Sequence, residues 1–539
     1  MQNIIIKPAL AALCGLILFF FSALASTFNA NPNDYLIQLS KLSPGDTLLL
    51  LPGNYTRGLK INNLHGKNNA WFVIKSAEKH KAVILGRSGV NTTDIINSEY
   101  VKIEGMKYDG TNLEVDAIKA SGSAKDSVNN IWLEGNLIVG HGTNQQICGI
   151  STKVYARDWT IRNNEIIEAG TGIYLGNSDG SMPFIGGKIE FNLVLNPVGY
   201  CMQIKHQNPS DTFDINKPVT STVVRHNVFA KDSRPSPDGD RPNVLFGGFQ
   251  SGTGGDMYRV EFYGNFLYQN PREYLMQATG NISIHNNLFA GSSVGAINLQ
   301  LHNSRQPREV FIYNNSIWGH GKGISLSGQD KNYSQNSAGN AIFTNTPLSG
   351  FKDSSSITGN FASAVNYFSN PDTLINLLDF YPLTGSGKAN LDYTSFKKDL
   401  DYNYDFNLNK QEGKYFGAYS GEGKNPGWKP ALQIKEINNS NFITDDFNGY
   451  EKGQFNLKIF PNPASAALKL EFTNPIADII TIRVFDLLSK KSNIIFQKFL
   501  LAGENCIDLN LSDLFCSNLY FVQLCNSRDC EVKTLFILN

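Results

Sequence analysis

Apolar and polar residues alternate in short runs along most of the chain, and one such run recurs with an asparagine at a fixed place. In one copy Trp159 and Ile161 alternate with polar residues, Asn164 follows, and the apolar Ile166 comes next. A period of two predicts strands and not helices. Successive copies are 28, 28, 35, 38, 22 and 28 residues apart, and their shared asparagines are Asn136, Asn164, Asn192, Asn227, Asn265, Asn287 and Asn315.

A repeat of this length is typical of stacked architectures, in which each unit buries its apolar face against its neighbours. A second strand-like run bounded by glycine follows many copies, as in residues 172–177 and 323–328. Two or three short strands per period predict a parallel β-helix. A basal period of 28 residues predicts roughly 14 coils between residues 26 and 420.

Equivalent side chains of stacked coils lie directly over one another, about 4.8 Å apart. Asparagine amides can hydrogen-bond along such a stack, so the seven asparagines are predicted to form a structural ladder without a catalytic role. Two residues before the asparagines, Glu134, Arg162, Glu190 and Arg225 alternate in charge. This alternation is what an ion-pair ladder would look like.

The N-terminus has Lys7, an apolar run over residues 9–24 and the small residues Ala23 and Ala25, which together predict a cleavable signal peptide over residues 1–25. No later apolar stretch is long enough to span a bilayer. The chain has 47 basic and 47 acidic residues, and this balance argues against nucleic-acid binding. The mature protein is therefore expected to be exported and not membrane-spanning.

Residues 421–454 are rich in glycine, asparagine and proline and are predicted to form a linker. The short strand-like runs of residues 455–539 predict a small β-sandwich. The segment FPNPA (460–464) and the run LYFV (519–522) resemble the C-terminal sorting domain of the type IX secretion system, although Asn518 stands where that domain usually has glycine. The resemblance implies a Bacteroidota source, transfer by the type IX machinery, and release or attachment at the outer-membrane surface.

Four cysteines, Cys506, Cys516, Cys525 and Cys530, crowd the last 34 residues. An exported chain can form disulfides, and four cysteines allow three pairings. A bridge between Cys525 and Cys530 is favoured because an apparent hairpin joins them. A zinc site is the weaker interpretation, since this segment contains no histidine.

The N-terminal pattern of a Pro44-Gly45-Asp46 turn, a strand over residues 47–51 and a second turn over 52–55 resembles the start of secreted right-handed β-helix polysaccharide lyases. The family of alginate lyases and chondroitinase B is the one it resembles most. The resemblance implies a right-handed β-helix with a lysine and an arginine on adjacent coils as catalytic base and acid. Lys205 and Arg225 stand in a comparable relation and are the predicted catalytic pair.

The two longest steps exceed the basal period, and the extra residues fall within residues 206–218 and 231–243. Neighbouring insertions can form one wall of a cleft. Strand alternation turns Gln203 and Lys205 outward beside them. Amides and aromatic rings on such a face suit sugar binding, so the predicted substrate-binding residues are Tyr174, Gln203, His206, Arg241, Gln300 and His302.

Three functions stay open at this point. The first is a polysaccharide lyase acting on an acidic glycan, and the second is a non-catalytic glycan-binding or structural surface protein. The third is a glycoside hydrolase, which would need a pair of carboxylates. Asp232, Asp238 and Asp240 could hold Ca²⁺, or could simply belong to a solvated loop. Arg225 could equally serve an ion pair with Glu190.

Overall fold

The computed structural model describes residues 25–208, 221–251, 255, 257–351, 353 and 355–436, and near the C-terminus 455, 457–462, 464, 467–474, 478–486, 492–500, 503–510, 519–525 and 530–536. The predicted signal peptide, except its last residue, lies outside this part. Regular structure in the described residues is almost entirely β. The helix Tyr35–Leu39 packs on the core of the first coils, and two short 3₁₀ helices occupy Phe361–Asn366 and Thr394–Phe396.

Three columns of parallel strands run the length of the main domain, and we call them the first, second and third ladders. The first ladder belongs to a 14-stranded sheet, in which Tyr155–Arg157 and Phe184–Ile185 lie off the main path. Its strands on the path are Thr27–Ala30, Thr47–Leu50, Phe72–Ser76, Ser98–Glu104, Ser127–Glu134, Thr160–Arg162, Lys188–Glu190, Thr222–Arg225, Arg259–Tyr263, Gly280–His285, Pro307–Tyr313 and Gln335–Ala338.

The second and third ladders share two long strands, Ser316–Leu326 and Ala341–Ser349, whose first halves pair in the second ladder and second halves in the third. The other strands of the second ladder are Gly53–Tyr55, Ala82–Leu85, Lys107–Asp109, Leu137–Val139, Glu165–Ile167, Leu193–Leu195, Val228–Ala230, Phe266–Asn270, Leu288–Ser292 and Ile357–Gly359. The other strands of the third ladder are Leu59–Asn62, Thr93–Ile96, Ile118–Ala120, Cys148–Thr152, Thr171–Leu175, Met202–Ile204, Val244–Phe246, Met276–Ala278 and Gly295–Leu299.

Every pairing within the three ladders is parallel, and one apolar core runs between them. The main domain is thus the right-handed parallel β-helix that the repeat predicts. The first ladder takes one strand from each of twelve coils, whereas the period predicts roughly 14 over residues 26–420. The difference arises because the parallel coils end near residue 359 and the chain then leaves the stack.

The predicted asparagine ladder is confirmed. Each Nδ2 donates to the Oδ1 of the next asparagine along the stack, at 2.9 to 3.0 Å from Asn136 to Asn315. The ladder continues one coil further, to Asn340. All these amides are fully buried, so their hydrogen bonds are made in a low-dielectric interior where they are strong.

The residue before each ladder asparagine has left-handed backbone, which makes the bend between the first and second ladders. Two of these residues are bulky, Phe191 with φ of +55° and His226 with φ of +56°. Such backbone is unfavourable for side chains with a Cβ. The asparagine amides fix the bend, because Nδ2 of Asn192 also donates to the carbonyl of Ile161 at 2.7 Å.

Replacing Asn192 with alanine is expected to lower the free energy of unfolding by about 3 kcal/mol, since buried partners above and below lose hydrogen bonds. The partners are the Asn164 backbone N–H at 3.0 Å and the Asn227 Oδ1 at 2.9 Å. Urea denaturation measures the change. The exposed Asn332 supplies the control, and Asn332→Ala is expected to change stability by less than about 0.5 kcal/mol. Equal stability of the two variants would contradict the ladder's role.

After the last coil, residues 360–436 fold back along the outside of the β-helix, and we call them the return segment. Its antiparallel strands, Phe368–Asn370 and Asp379–Pro382, belong to an aromatic cluster that covers the outer face of the second ladder. It also packs on the later coils of the first ladder, where Phe396 stacks on Tyr313 with centroids 4.0 Å apart. Two of the three outer faces are therefore covered over much of their length.

Residues 421–436, which the sequence places in a linker, belong instead to this packed segment. Trp428 is buried in the aromatic cluster, and Lys435 donates to the carbonyls of Gly264 and Phe406 at 3.0 and 2.6 Å. Burial lowers the pKa of Lys435 well below its usual range, although the charge of Asp405 opposes the shift. The predicted linker can thus begin only after residue 436, and its remaining residues lie outside the described part.

The C-terminal residues form two antiparallel sheets with one apolar core, the predicted β-sandwich. Cys525 and Cys530 are cross-strand partners, but their side chains and all of Cys516 lie outside the described residues. The bridge between them therefore stays a prediction. Cys506 carries an exposed free thiol. The strands are Lys458–Phe460, Ala467–Asn474 and Gly503–Asn510 in one sheet, and Ser492–Leu500, Asp478–Asp486, Leu519–Cys525 and Cys530–Phe536 in the other.

Candidate functional site

The outer face of the third ladder carries a row of polar side chains on successive coils. Tyr174 pairs in register with Gln203, and the same column continues through Leu245 and Gln277 to Asn298. The alternate residues of these strands lie in the core, so strand alternation placed this column correctly. Gln203 is only 2% exposed, and neighbouring groups therefore cover most of its side chain.

Lys205 directly follows the strand Met202–Ile204, one step beyond the polar column. Glycines occupy the equivalent positions on the two neighbouring coils, at Gly176 and Gly247. A Cβ at Gly247 would lie 2.3 Å from the backbone nitrogen of His206, so the two coils pass too closely there for any side chain. The half-buried Lys205 is therefore flanked along the stack by two positions that have no side chain, where the neighbouring coils approach each other closely.

Positive groups surround Lys205. Burial and the charge of Arg241 lower the pKa of Lys205 from its usual value. Burial and the charge of Lys205 in turn lower the pKa values of His206 and His302. The structure thus brings together four residues that the sequence proposes for the site. Gln300 follows Asn298 by two residues and is half-buried, with its backbone N–H donating to Ala278.

Two tyrosines flank these cations. Nζ of Lys153 lies 3.4 Å from the centroid of the Tyr174 ring, and the Tyr174 hydroxyl donates to Ser178 Oγ at 3.2 Å. The guanidinium carbon of Arg241 lies 5.8 Å from the ring of Tyr200. We call this surface the groove: the third-ladder face from Lys153 to Gln300, with its cations and both rings.

The insertion 231–243 lies along one side of the groove, as the repeat spacing predicts. Asp238 near its tip accepts from Nε2 of Gln146 at 3.1 Å, although the two residues are 92 positions apart. The other insertion, 206–218, is described only for residues 206–208. Within that part, Nε2 of His206 contacts the carbonyl of Asp179 at 3.1 Å. The wall on that side therefore stays a prediction.

Arg225 lies elsewhere, on the first ladder, and the structure does not bring it together with Lys205. Its Nε donates to Glu190 at 2.7 Å, and its Nη1 lies 3.3 Å from Tyr263 and 3.4 Å from Asp401 of the return segment. The side chain is only 8% exposed. The predicted pair with Lys205 is replaced by the alternative, an ion pair in the first ladder. Sequence spacing misled here because Arg225 precedes a ladder asparagine while Lys205 follows a third-ladder strand.

The acidic residues proposed for Ca²⁺ have other partners. Asp232 pairs with Arg234 at 2.6 Å, Asp238 accepts from Gln146, and Asp240 accepts from the Ser236 backbone N–H at 3.2 Å. In the described residues, no group of three or more histidine, cysteine, aspartate or glutamate side chains is arranged to hold a metal ion. These contacts fit the solvated-loop alternative.

An open cavity of about 880 Å³ lies on the early coils of the first ladder. Its lining includes Lys75, Glu104 and Glu134, whose charges are of mixed sign, and Glu436 from the end of the return segment. None of the titratable residues that line this cavity lies among other cations as Lys205 does. The groove is therefore the better candidate for chemistry.

The C-terminal sandwich has a recognisable relative. Residues 458–538 match the family model described as Secretion system C-terminal sorting domain. The chain ends in a sorting domain. The protein is accordingly exported, either released or held at the cell surface, and its partner in export is the secretion machinery that reads this domain. No helix among the described residues is long and apolar enough to cross a membrane.

Solved structures with a similar fold include three polysaccharide lyases. An alginate lyase from Paenibacillus sp. str. FPU-7 aligns at 18% identity over 53% of this chain and 98% of its own, with a TM-score of 0.35. The PL6 family alginate lyase AlyGC aligns at 14% over 67% and 55%, with a TM-score of 0.40, so this chain spans about half of that enzyme. A PL6 family polysaccharide lyase from Pseudopedobacter saltans aligns at 12% over 62% and 92%, with a TM-score of 0.26.

A search of curated proteins finds no match to the sequence. At the identities and scores of the solved structures, the alignments carry no argument about activity. The fold rests on the three ladders themselves, and the chemistry has to be argued from the groove.

Deleting residues 456–539 is expected to leave the protein in the periplasm with its β-helix folded. The sorting domain has an apolar core of its own, separate from the clusters of the β-helix and return segment. Cell fractionation with a melting curve of the truncated protein measures both outcomes, and the full-length chain is the control. Surface delivery of the truncated chain, or loss of its folded β-helix, would contradict the prediction.

Proposed function

We propose that this protein is a polysaccharide lyase that cleaves an acidic glycan by β-elimination in the groove. The observation that supports it most is Lys205, whose half-buried amine lies between glycine positions of the two neighbouring coils and has its pKa lowered by burial and by the charge of Arg241. Lys153 and the rings of Tyr174 and Tyr200 extend the same surface along the coils. A uronate chain needs both cations for its carboxylates and flat faces for its rings.

The chemistry follows from these groups. Lys205 in its amine form takes the proton from C5 of a uronate, the C4–O4 bond breaks, and a C4–C5 double bond forms. Arg241 neutralises the uronate carboxylate, which stabilises the negative charge that develops as C5 loses its proton. The Lys205 ammonium can then return a proton to the leaving O4, so one lysine balances the proton transfers.

A hydrolase mechanism fits the described groove less well. It requires two carboxylates at a defined separation, one of them a protonated acid. Asp116, a carboxylate two residues before the third-ladder strand Ile118–Ala120, instead accepts from the Cys148 backbone N–H at 2.8 Å and from Ser151 at 3.2 Å, and pairs with Lys119 at 3.3 Å. Its oxygens are thus committed to holding the coil.

A non-catalytic glycan-binding protein could use the same cations and rings, and one experiment separates the two functions. Purified mature protein is incubated with alginate, polygalacturonate, chondroitin sulfate and hyaluronan, and the ultraviolet absorbance of an unsaturated uronate product is followed. Product formation supports the lyase. Retention on one of these polymers without product would establish binding alone, and neither retention nor product would refute an acidic glycan as the ligand.

A further inference from the structure

The tip of the insertion 231–243 is held by a residue far away in the chain, Gln145. This side chain is 4% exposed and precedes the third-ladder strand Cys148–Thr152. Its Oε1 accepts from the backbone N–H of Asp238 at 3.0 Å, and its Nε2 donates to the carbonyl of Gly239 at 3.1 Å. Both ends of one buried amide therefore contact the same turn of the loop.

That turn in turn holds the guanidinium of Arg241. Nη2 of Arg241 donates to the carbonyl of Asp238 at 2.8 Å, and Nη1 donates to the carbonyl of Asp240 at 3.3 Å. Gly239 has φ of +94°, and a Cβ there would lie 3.0 Å from Nη1. The positive φ of this turn favours glycine, and the guanidinium lies close against it. The turn that Gln145 binds is therefore the same turn that places Arg241.

The base of the loop has separate anchors in the body of the β-helix. The backbone carbonyl of Arg241 accepts from Nζ of Lys231 at 3.1 Å and from Nδ2 of Asn270 at 2.9 Å. Nζ of Lys231 also donates to the carbonyl of Gly199 at 2.7 Å. Because these anchors fix the base of the loop, the contact of Gln145 with the tip is what orients the Arg241 side chain.

We propose that Gln145 is a positioning residue, which clamps the tip of the insertion and thereby fixes the Arg241 guanidinium near the ring of Tyr200 in the groove. The inference rests on the proposed function in that Gln145 serves the same groove. Its physical content can be tested without any substrate, because it concerns the order of a loop and the distance between two cations. The result of this test can therefore be interpreted even if the lyase assay detects no product.

Hydrogen exchange followed by mass spectrometry gives the first measurement. In Gln145→Ala, peptides covering residues 236–241 are expected to exchange about tenfold faster, because the tip loses two buried hydrogen bonds. Gln145→Met keeps the bulk of the side chain and serves if the alanine variant folds poorly. Gln146→Ala is the matched control, since the Gln146 side chain donates to the Asp238 carboxylate and not to the backbone of the turn. Unchanged exchange in both Gln145 variants would overturn the proposal.

The second measurement uses lysines labelled by reductive ¹³C-methylation, with the Lys205 signal assigned through Lys205→Arg. Release of Arg241 removes a positive neighbour, so the pKa of the labelled Lys205 is expected to rise in Gln145→Ala as it does in Arg241→Ala. The double variant should show no further rise, because Gln145 acts through Arg241. Faster loop exchange with an unchanged Lys205 pKa would reduce Gln145 to a structural contact and overturn its positioning role.

Discussion

Lys205→Ala is expected to lower the rate of elimination on a cleaved acidic glycan by about a thousandfold, since the variant lacks the base that removes the C5 proton. Stability should change by less than about 0.5 kcal/mol, because the side chain is only half-buried and lies on the outer face of the coil. Lys424→Ala, an exposed lysine of the return segment, provides the control and should keep full activity. Full activity of Lys205→Ala would remove the lyase function from this face.

The direction in which the rate of elimination changes with pH tests the same assignment of Lys205 as the base. Burial and Arg241 lower the pKa of Lys205, and only the deprotonated amine can accept the C5 proton. The rate should therefore rise with pH until Lys205 is deprotonated. Arg241→Ala removes a positive neighbour, which raises the pKa of Lys205 and moves the rising limb to higher pH. If the rising limb stayed at the same pH in Arg241→Ala, Arg241 would not be influencing the catalytic base.

The repeat could be predicted because its signals are local. Alternation fixes which side chains face outward, and an asparagine such as Asn192 at each bend fixes the register, so Tyr174, Gln203 and Lys205 followed correctly along the third ladder. Gly176 and Gly247 are visible in the sequence, and their common register with Lys205 could have singled out this position. Local periodicity was therefore enough to predict which side chains lie on the outer face of the third ladder.

The errors concern contacts made by distant parts of the chain. The return segment brings Asp401 to Arg225 across 176 positions, and no local pattern in residues 360–436 shows that they fold back over two ladders. The contact of Gln145 with the insertion also joins distant parts of the chain. A single glutamine in a turn does not indicate such a contact. Strand periodicity reports which face a side chain occupies but not what later covers that face.

Arg225→Met is expected to lower the free energy of unfolding by about 3–5 kcal/mol, since it leaves the carboxylate of Glu190 buried with a weaker partner. Glu190 is 2% exposed, and its remaining contact is Arg162 at 3.5 Å. Denaturant unfolding measures the loss. Arg234, which also pairs with two carboxylates but is 50% exposed, is the matched control, and Arg234→Met should cost less than about 1 kcal/mol.

The double variant Glu190→Gln with Arg225→Met then distinguishes an ion pair from simple loss of packing. Removing both charges together takes away the uncompensated carboxylate, so the double variant should recover part of the stability that Arg225→Met loses. The folded fraction of either variant should retain its elimination activity, because Arg225 faces the return segment and Lys205 faces the groove. Activity lost at unchanged stability would instead return Arg225 to the catalytic role that the family resemblance first implied.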